Sequence, residues 1–95
     1  MASTTGTLTD ASPDSSVITL TVTDPHIEVF NCNKWDQIQL LHSIDGSDPT
    51  VDQSAHVFNG SGKVQIKAEV GDKIKFEGNF PTTDVLRSIT WEIRS

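Results

Sequence analysis

From Val17 onward, apolar and polar positions alternate with a period of two. In residues 17–23, Ile18, Leu20 and Val22 share one face, while Val17 and three threonines share the other. β-branched residues in alternation suit a half-buried pleated surface, so this segment predicts a strand. Asp24-Pro25 turns the chain, because proline cannot donate to a ladder and an aspartate before it favours a turn. A short strand over 26–30 follows, ended by Asn31-Cys32-Asn33. The clearest alternation begins at Lys63: Val64, Ile66, Ala68 and Val70 against Lys63, Gln65, Lys67 and Glu69. After Gly71-Asp72 it resumes, with Ile74 and Phe76 against Lys73, Lys75 and Glu77. Two alternating runs joined by a two-residue Gly-Asp step predict a tight hairpin, with glycine supplying the positive φ. A strand over 54–58 precedes the turn Asn59-Gly60-Ser61-Gly62. A last one, over 85–94, follows a loop around Pro81 and points Ile89, Trp91 and Ile93 inward.

Residues 34–44 are the one place where a helix competes. Asn33 can cap it, Asp36 stands at the capping-box spacing and Gly46 can close it. At 100° per residue, however, Trp35, Ile38, Leu40, Leu41 and Ile44 spread around most of the circumference. Alternation fits better, with Ile38, Leu40, His42 and Ile44 on one face and Gln37, Gln39, Leu41 and Ser43 on the other. A strand is the preferred reading. The expected fold is all-β: a small antiparallel β-sandwich, or a small barrel, of about seven short strands in a single domain over 17–95. Residues 1–16 carry one bulky apolar side chain, Leu8, among Ser, Thr, Ala, Gly and Asp. Such a segment buries too little to offset the cost of ordering its backbone, so it reads as a disordered, flexible tail. The alternative is an edge strand over 5–9.

Composition narrows the function classes. The 95 residues carry a formal net charge of −6, which repels phosphate backbones and acidic membranes and argues against nucleic-acid partners. No apolar run approaches the length of a membrane span, so no membrane insertion is expected. The start of the chain has neither a basic region nor an apolar stretch, so the expected location is cytoplasmic, or outside after processing or unconventional export. The single cysteine, Cys32, precludes an internal disulfide.

Several residues are candidates for chemistry. Asp45, Asp48 and Asp52 lie in one loop, and calcium takes several oxygens from a flexible loop, although the spacing is not that of an EF-hand. An ordinary solvated loop is the plainer reading. His26, His42 and His56 show none of the close ligand spacing that announces zinc. Cys32 with a histidine can in principle form a nucleophile and base, against the plainer reading of an inert filler. No nucleophile elbow, Walker A sequence or dinucleotide fingerprint occurs. Asn59-Gly60-Ser61 matches a glycosylation acceptor, yet Asn-Gly is first of all a turn. Trp91 falls on the inward register of the last strand. Trp35 opens a strand beside Lys34 and Asp36, where an exposed indole offers a stacking platform for a sugar or an anchor for a partner, and edge packing is the plainer alternative.

The phrase from Val64 to Phe76 contains a Val-Gly-Asp turn similar to one in cupredoxins, but the Cys, His and Met ligands of a copper site are missing. Asp48-Pro49-Thr50 with Val51-Asp52, together with residues 67–74, resembles bacterial inclusion-body proteins of the AidA/PixA type. The resemblance covers the C-terminal half, does not extend to 17–47, and carries over no functional residues. It implies a non-catalytic sandwich that accumulates or assembles. The expectation is a non-enzymatic module that binds a polar small ligand, glycans foremost, through its end loops. Its candidate residues are Trp35, Asp45, Asp48, Asp52, Asn59 and Asn79, with calcium as a possible companion of the three aspartates. The alternatives are a self-associating homo-oligomer and, last, a small cysteine-dependent hydrolase.

Overall fold

A computed structural model describes residues 3–81 and 85–95, among which eight strands form two antiparallel four-stranded sheets packed as a sandwich. The strands are β1 (Ser3–Leu8), β2 (Ile18–Thr19), β3 (His26–Phe30), β4 (Gln37–Ser43), β5 (Ser54–Asn59), β6 (Gly62–Gln65), β7 (Lys73–Asn79) and β8 (Ile89–Arg94). The first sheet runs β1-β8-β3-β6 and the second β2-β7-β4-β5. The only helical element among the described residues is a 3-10 turn, Val51–Gln53. No described helix is long and apolar enough to cross a membrane.

The core lies between the sheets. Ile27 and Val29 on β3 and Ile89, Trp91 and Ile93 on β8 face Ile38 and Leu40 on β4 and Ile74 and Phe76 on β7. Phe76 and Trp91 stack across the interface with ring centroids 5.0 Å apart. Of residues 34–44, Gln37–Ser43 form a strand, as alternation predicts, while Lys34–Asp36 make the turn before it and Ile44 lies beyond it, exposed.

The N-terminal segment departs from expectation. It is not a tail: β1 pairs with β8 over its whole length, and Leu8 is 1% exposed within the core cluster. The physical reason is complementarity with Trp91. Gly6 sits opposite Trp91, and a Cβ there would lie 2.2 Å from the indole ring. The large side chain comes from β8 and the vacant space from β1, so low hydrophobicity in 1–16 does not signify low burial. Beyond β1 the chain crosses to the other sheet, where Ser15 bonds Phe76 through backbone and side chain and Asp14 bridges Glu77.

The expected hairpin across Gly71-Asp72 is also corrected. β6 stops at Gln65 and pairs with β3 in the first sheet, whereas β7 pairs with β2 and β4 in the second. Residues 66–72 form an arch between the sheets whose backbone bonds go to 20–25: Asp24 N–H to Ala68 at 2.9 Å, Gly71 N–H to Leu20 at 2.9 Å and Leu20 N–H to Asp72 at 2.8 Å. Ile66 and Ala68 are buried as the alternation requires, and Gly71 has φ of +96°. Period two states which side meets the core and is silent about which strand takes the hydrogen bonds. For the same reason strand 17–23 shortens to β2, with Leu20 still buried, and the last strand begins at Ile89. The part of the expected 78–84 loop at 82–84 lies outside the described residues.

Candidate functional site

Both outer faces carry charge, with Lys73, Lys75 and Glu77 outward on β7 of the second sheet, whereas β4 carries none. On the first, the outward positions of β3, β6 and β8 are largely charged: His26 opposite Arg94 and Gln65, and Glu28 opposite Lys63 and Glu92. On the second, β4 turns Gln37 and Gln39 outward, and the register places polar partners on both sides. Gln37 stands between Asn59 on β5 and Asn79 on β7; Gln39 stands between Val57 and Glu77, and Asp14 extends that row beyond Glu77. Asp14, Gln37, Gln39, Val57, Glu77 and Asn79, with Gly78, line a depression of about 380 Å³.

Two interactions fix its floor. Gln37 Nε2 donates to Asn59 Oδ1 at 3.0 Å, and Lys75 Nζ lies 3.3 Å from Glu77 Oε2. Past Gln39 the same face closes. A register shift between Leu40 and Leu41 breaks the ladder to β5, and Leu41 and Ser43 are fully buried although they point outward. The 3-10 turn packs against β4. The segment after Ser43 is tied down by Asp45, whose Oδ1 accepts from Ser43 Oγ at 2.7 Å and from both the backbone and hydroxyl of Ser47. The hydrogen bonds from Ser47 and Ser43 hold the Asp45 carboxyl down to about 2.

The structure thus divides the candidate residues from the sequence into two groups. Asn59 and Asn79 meet across Gln37, and Trp35 stands two residues before Gln37, 65% exposed, with Lys34 Nζ 5.1 Å from its ring. Asp45, Asp48 and Asp52 lie past the other end of β4, about 20 Å away along the seven-residue strand. Asp45 is occupied by serines, Asp48 stands 3.8 Å from Lys73, and Asp52 sits in the 3-10 turn. Among the described residues, no group of three or more His, Cys, Asp or Glu side chains is arranged to hold a metal. Sequence reasoning missed Gln37, Gln39, Glu77 and Asp14 as site residues; the first three carried a signal, as outward positions of predicted strands, and Asp14 carried none.

Beneath this end of the sandwich lies a buried ion pair that no local pattern announces. Arg87 donates through Nε to Asp36 Oδ2 at 2.7 Å and through Nη2 to Asp36 Oδ1 at 3.0 Å, with the two side chains 3% and 1% exposed. Arg87 also bonds Asp10 and the Val85 carbonyl, and it covers the Phe80 ring at 4.7 Å. Desolvation pushes the Asp10 carboxyl up, but the side-chain and backbone bonds from Arg87 outweigh it and leave the pKa lowered. The bond to Asp36 raises that of the guanidinium. The network anchors the turn before β4: Asp36 N–H donates to the Asn33 carbonyl, and Gly60 N–H to that of Asp36.

Cys32 lies beside this turn. Its thiol approaches the carbonyls of Asn33 and Asp36, and burial, followed by the nearby Asp36 charge, pushes its pKa up. The thiolate is the reactive species, so this is an environment of low nucleophilicity. His42 pairs with Asp72 at 2.9 Å, and His56 packs edge-on against Phe58.

No family model, curated protein or solved structure matches this chain, so its geometry and chemistry stand alone in pointing to a role.

Proposed function

We propose that the protein is a non-catalytic binding module whose outer second-sheet face takes a polar, uncharged ligand, with glycans the best-fitting class. The observation that carries this reading is the amide row Asn59–Gln37–Asn79, backed by Gln39 and Glu77, on the floor of a depression. Amides offer donors and acceptors together, which is what a hydroxyl-rich ligand needs. The Gln37–Asn59 bond holds one of these amides in place before any ligand arrives, which lowers the entropic cost of binding. Val57, 41% exposed, adds an apolar spot for the C–H face of a sugar ring, and Trp35 offers a stacking surface at the same end of β4. The site therefore moves from the end loops to a sheet face, and the aspartate loop drops out of it.

The test is an NMR titration with a panel of neutral and charged sugars, with and without calcium. Neutral sugars are expected to shift the amide resonances of Gln37, Gln39 and Asn79 with millimolar affinity, and Gln37→Ala to weaken binding about tenfold. Absence of any shift at saturating sugar overturns the reading.

A second reading is self-association. β5 is an edge strand without a charged residue, and such edges are open to pairing with another chain. Light scattering across concentration separates the two: a monomer at millimolar protein removes this one.

A further inference from the structure

We infer that the ligand of the second-sheet face is an extended, equatorially linked polysaccharide chain that lies across the strands, one sugar ring to a strand. This rests on the glycan-binding reading of that face and goes beyond it in naming the shape of the ligand and its direction.

The direction follows from what is open and what is covered. Along β4, outward side chains are accessible only at Gln37 and Gln39, a length of about 7 Å at the strand's rise. The next outward positions, Leu41 and Ser43, are buried. Across the strands the register continues through Val57, Gln39, Glu77 and Asp14, three steps of about 4.8 Å, or roughly 14 Å. A second row, Asn59, Gln37 and Asn79, runs beside it. The long axis of the open floor therefore crosses the strands.

The spacing then selects the chain. The distance between neighbouring strands is close to the rise of one pyranose ring in a straight, equatorially linked glycan, so each ring falls over one strand, with successive rings turned to present alternate edges. Each of the β4 and β7 positions offers a ring two polar groups: Gln37 with Gln39, and Asn79 with Glu77. At β5, Asn59 supplies a polar group and Val57 an apolar one. A curved, axially linked glycan leaves the rows after one ring. The depression of about 380 Å³ has room for a disaccharide at its centre. β5 is the free edge of its sheet, so a longer chain can run on past it.

The experiment is a length series on the intact protein. Equatorially β-1,4-linked gluco-, manno-, xylo- and N-acetylglucosamine oligomers of one to six rings are titrated by NMR beside α-linked malto-oligomers. Affinity is expected to rise about tenfold from one ring to two or three and to level within about twofold beyond. Gln39→Ala is expected to lose about tenfold on the long chains, with its spectrum otherwise intact. A monosaccharide that binds as tightly as its tetramer, or a malto-oligomer that matches the β-linked series, overturns this inference while leaving glycan binding in place. Silence across every series overturns both.

Discussion

Leu8→Ala tests whether the N-terminal segment belongs to the domain. As a residue of a free tail, Leu8 contributes nothing to stability. As a residue of β1, it is 1% exposed and packed into the core cluster. Removing its carbons beyond Cβ forfeits about 0.8 kcal/mol each in transfer free energy. A residual cavity adds to this, and buried Leu→Ala changes range over about 2–5 kcal/mol. β1 is an edge strand, so its surroundings can collapse partway, and the lower half of that range, about 2–3 kcal/mol, is expected. A domain of this length has a total stability of about 5–14 kcal/mol. The loss is therefore a large fraction of the whole, and it lowers the melting midpoint by about 8–24 °C.

The assay is urea unfolding followed by tryptophan fluorescence. Trp91 is buried against β1 and reports the transition, while Trp35 is already exposed. Thr7→Ala, an exposed neighbour on the same strand, is the control, with a change within about 0.5 kcal/mol. Gly6→Val supplies a second arm, because its Cβ collides with the Trp91 ring. The reasoning is refuted if Leu8→Ala shifts the midpoint no more than Thr7→Ala does and Gly6→Val leaves the Trp91 emission unchanged.

Three further outcomes are expected. Asp36→Asn leaves the guanidinium of Arg87 short of its bidentate partner and costs about 3 kcal/mol in urea unfolding, whereas the double change Asp36→Leu with Arg87→Met recovers much of the loss. The carboxyls of Asp45, Asp72 and Asp10 are all lowered in the folded state, so the unfolded chain binds more protons in acid. Their stabilisation is complete above the ordinary value of 3.8 and is lost as pH falls through the folded values, about 2 for Asp45. A plot of melting temperature against pH is expected to be level near neutrality and to drop below pH 4 (roughly, by that linkage), less steeply in Asp45→Asn. Cys32, its pKa raised by burial, is expected to react with iodoacetamide at pH 8 about tenfold more slowly than glutathione, and an equal rate refutes the reading of an inert thiol.

Alternation made the sandwich legible. It placed Ile38 and Leu40, Ile74 and Phe76, and Ile89, Trp91 and Ile93 on inward faces, because burial of a pleated strand is a one-dimensional property of its own sequence. Pairing is not. The arch over 66–72 shows the same alternation as a hairpin arm, since its Ile66 and Ala68 also meet the core. β1 was legible only as the alternative to a tail, an edge strand over 5–9, because its contribution is a vacancy at Gly6 that only Trp91 defines. Asp36 and Arg87 are far apart in sequence, and nothing near either one signals the other. At the site, Trp35 was identifiable as an indole on a polar register, and Asn59 and Asn79 as turn-flanking amides. The convergence of the two asparagines on Gln37 depends on the order β7-β4-β5, which a single sequence does not encode locally.

The contrast between β4 and the charged strands of both sheets ties the site to the rest of the molecule. Charges keep a small domain dispersed, and here they stand on both outer faces, with Lys63, Glu28, Glu92 and Arg94 on the first sheet and Lys73, Lys75 and Glu77 on β7 of the second. Side-chain amides are a poor substitute, because they add no net charge and present sticky donors and acceptors to any neighbour. On β4 the open outward positions are nevertheless Gln37 and Gln39, flanked by Asn59 and Asn79, and the chain spends no charge on that strand. The remaining outward positions of β4, Leu41 and Ser43, are buried, and Ser43 bonds Asp45, so the amide floor is bounded on one side. The turn leading into it is anchored by the buried Asp36–Arg87 pair. Solubility explains the charged positions and core packing explains the interior; neither calls for a charge-free β4 flanked by amides, and the proposed hydroxyl-rich ligand accounts for it, with Glu77 and Asp14 as further acceptors at the rim.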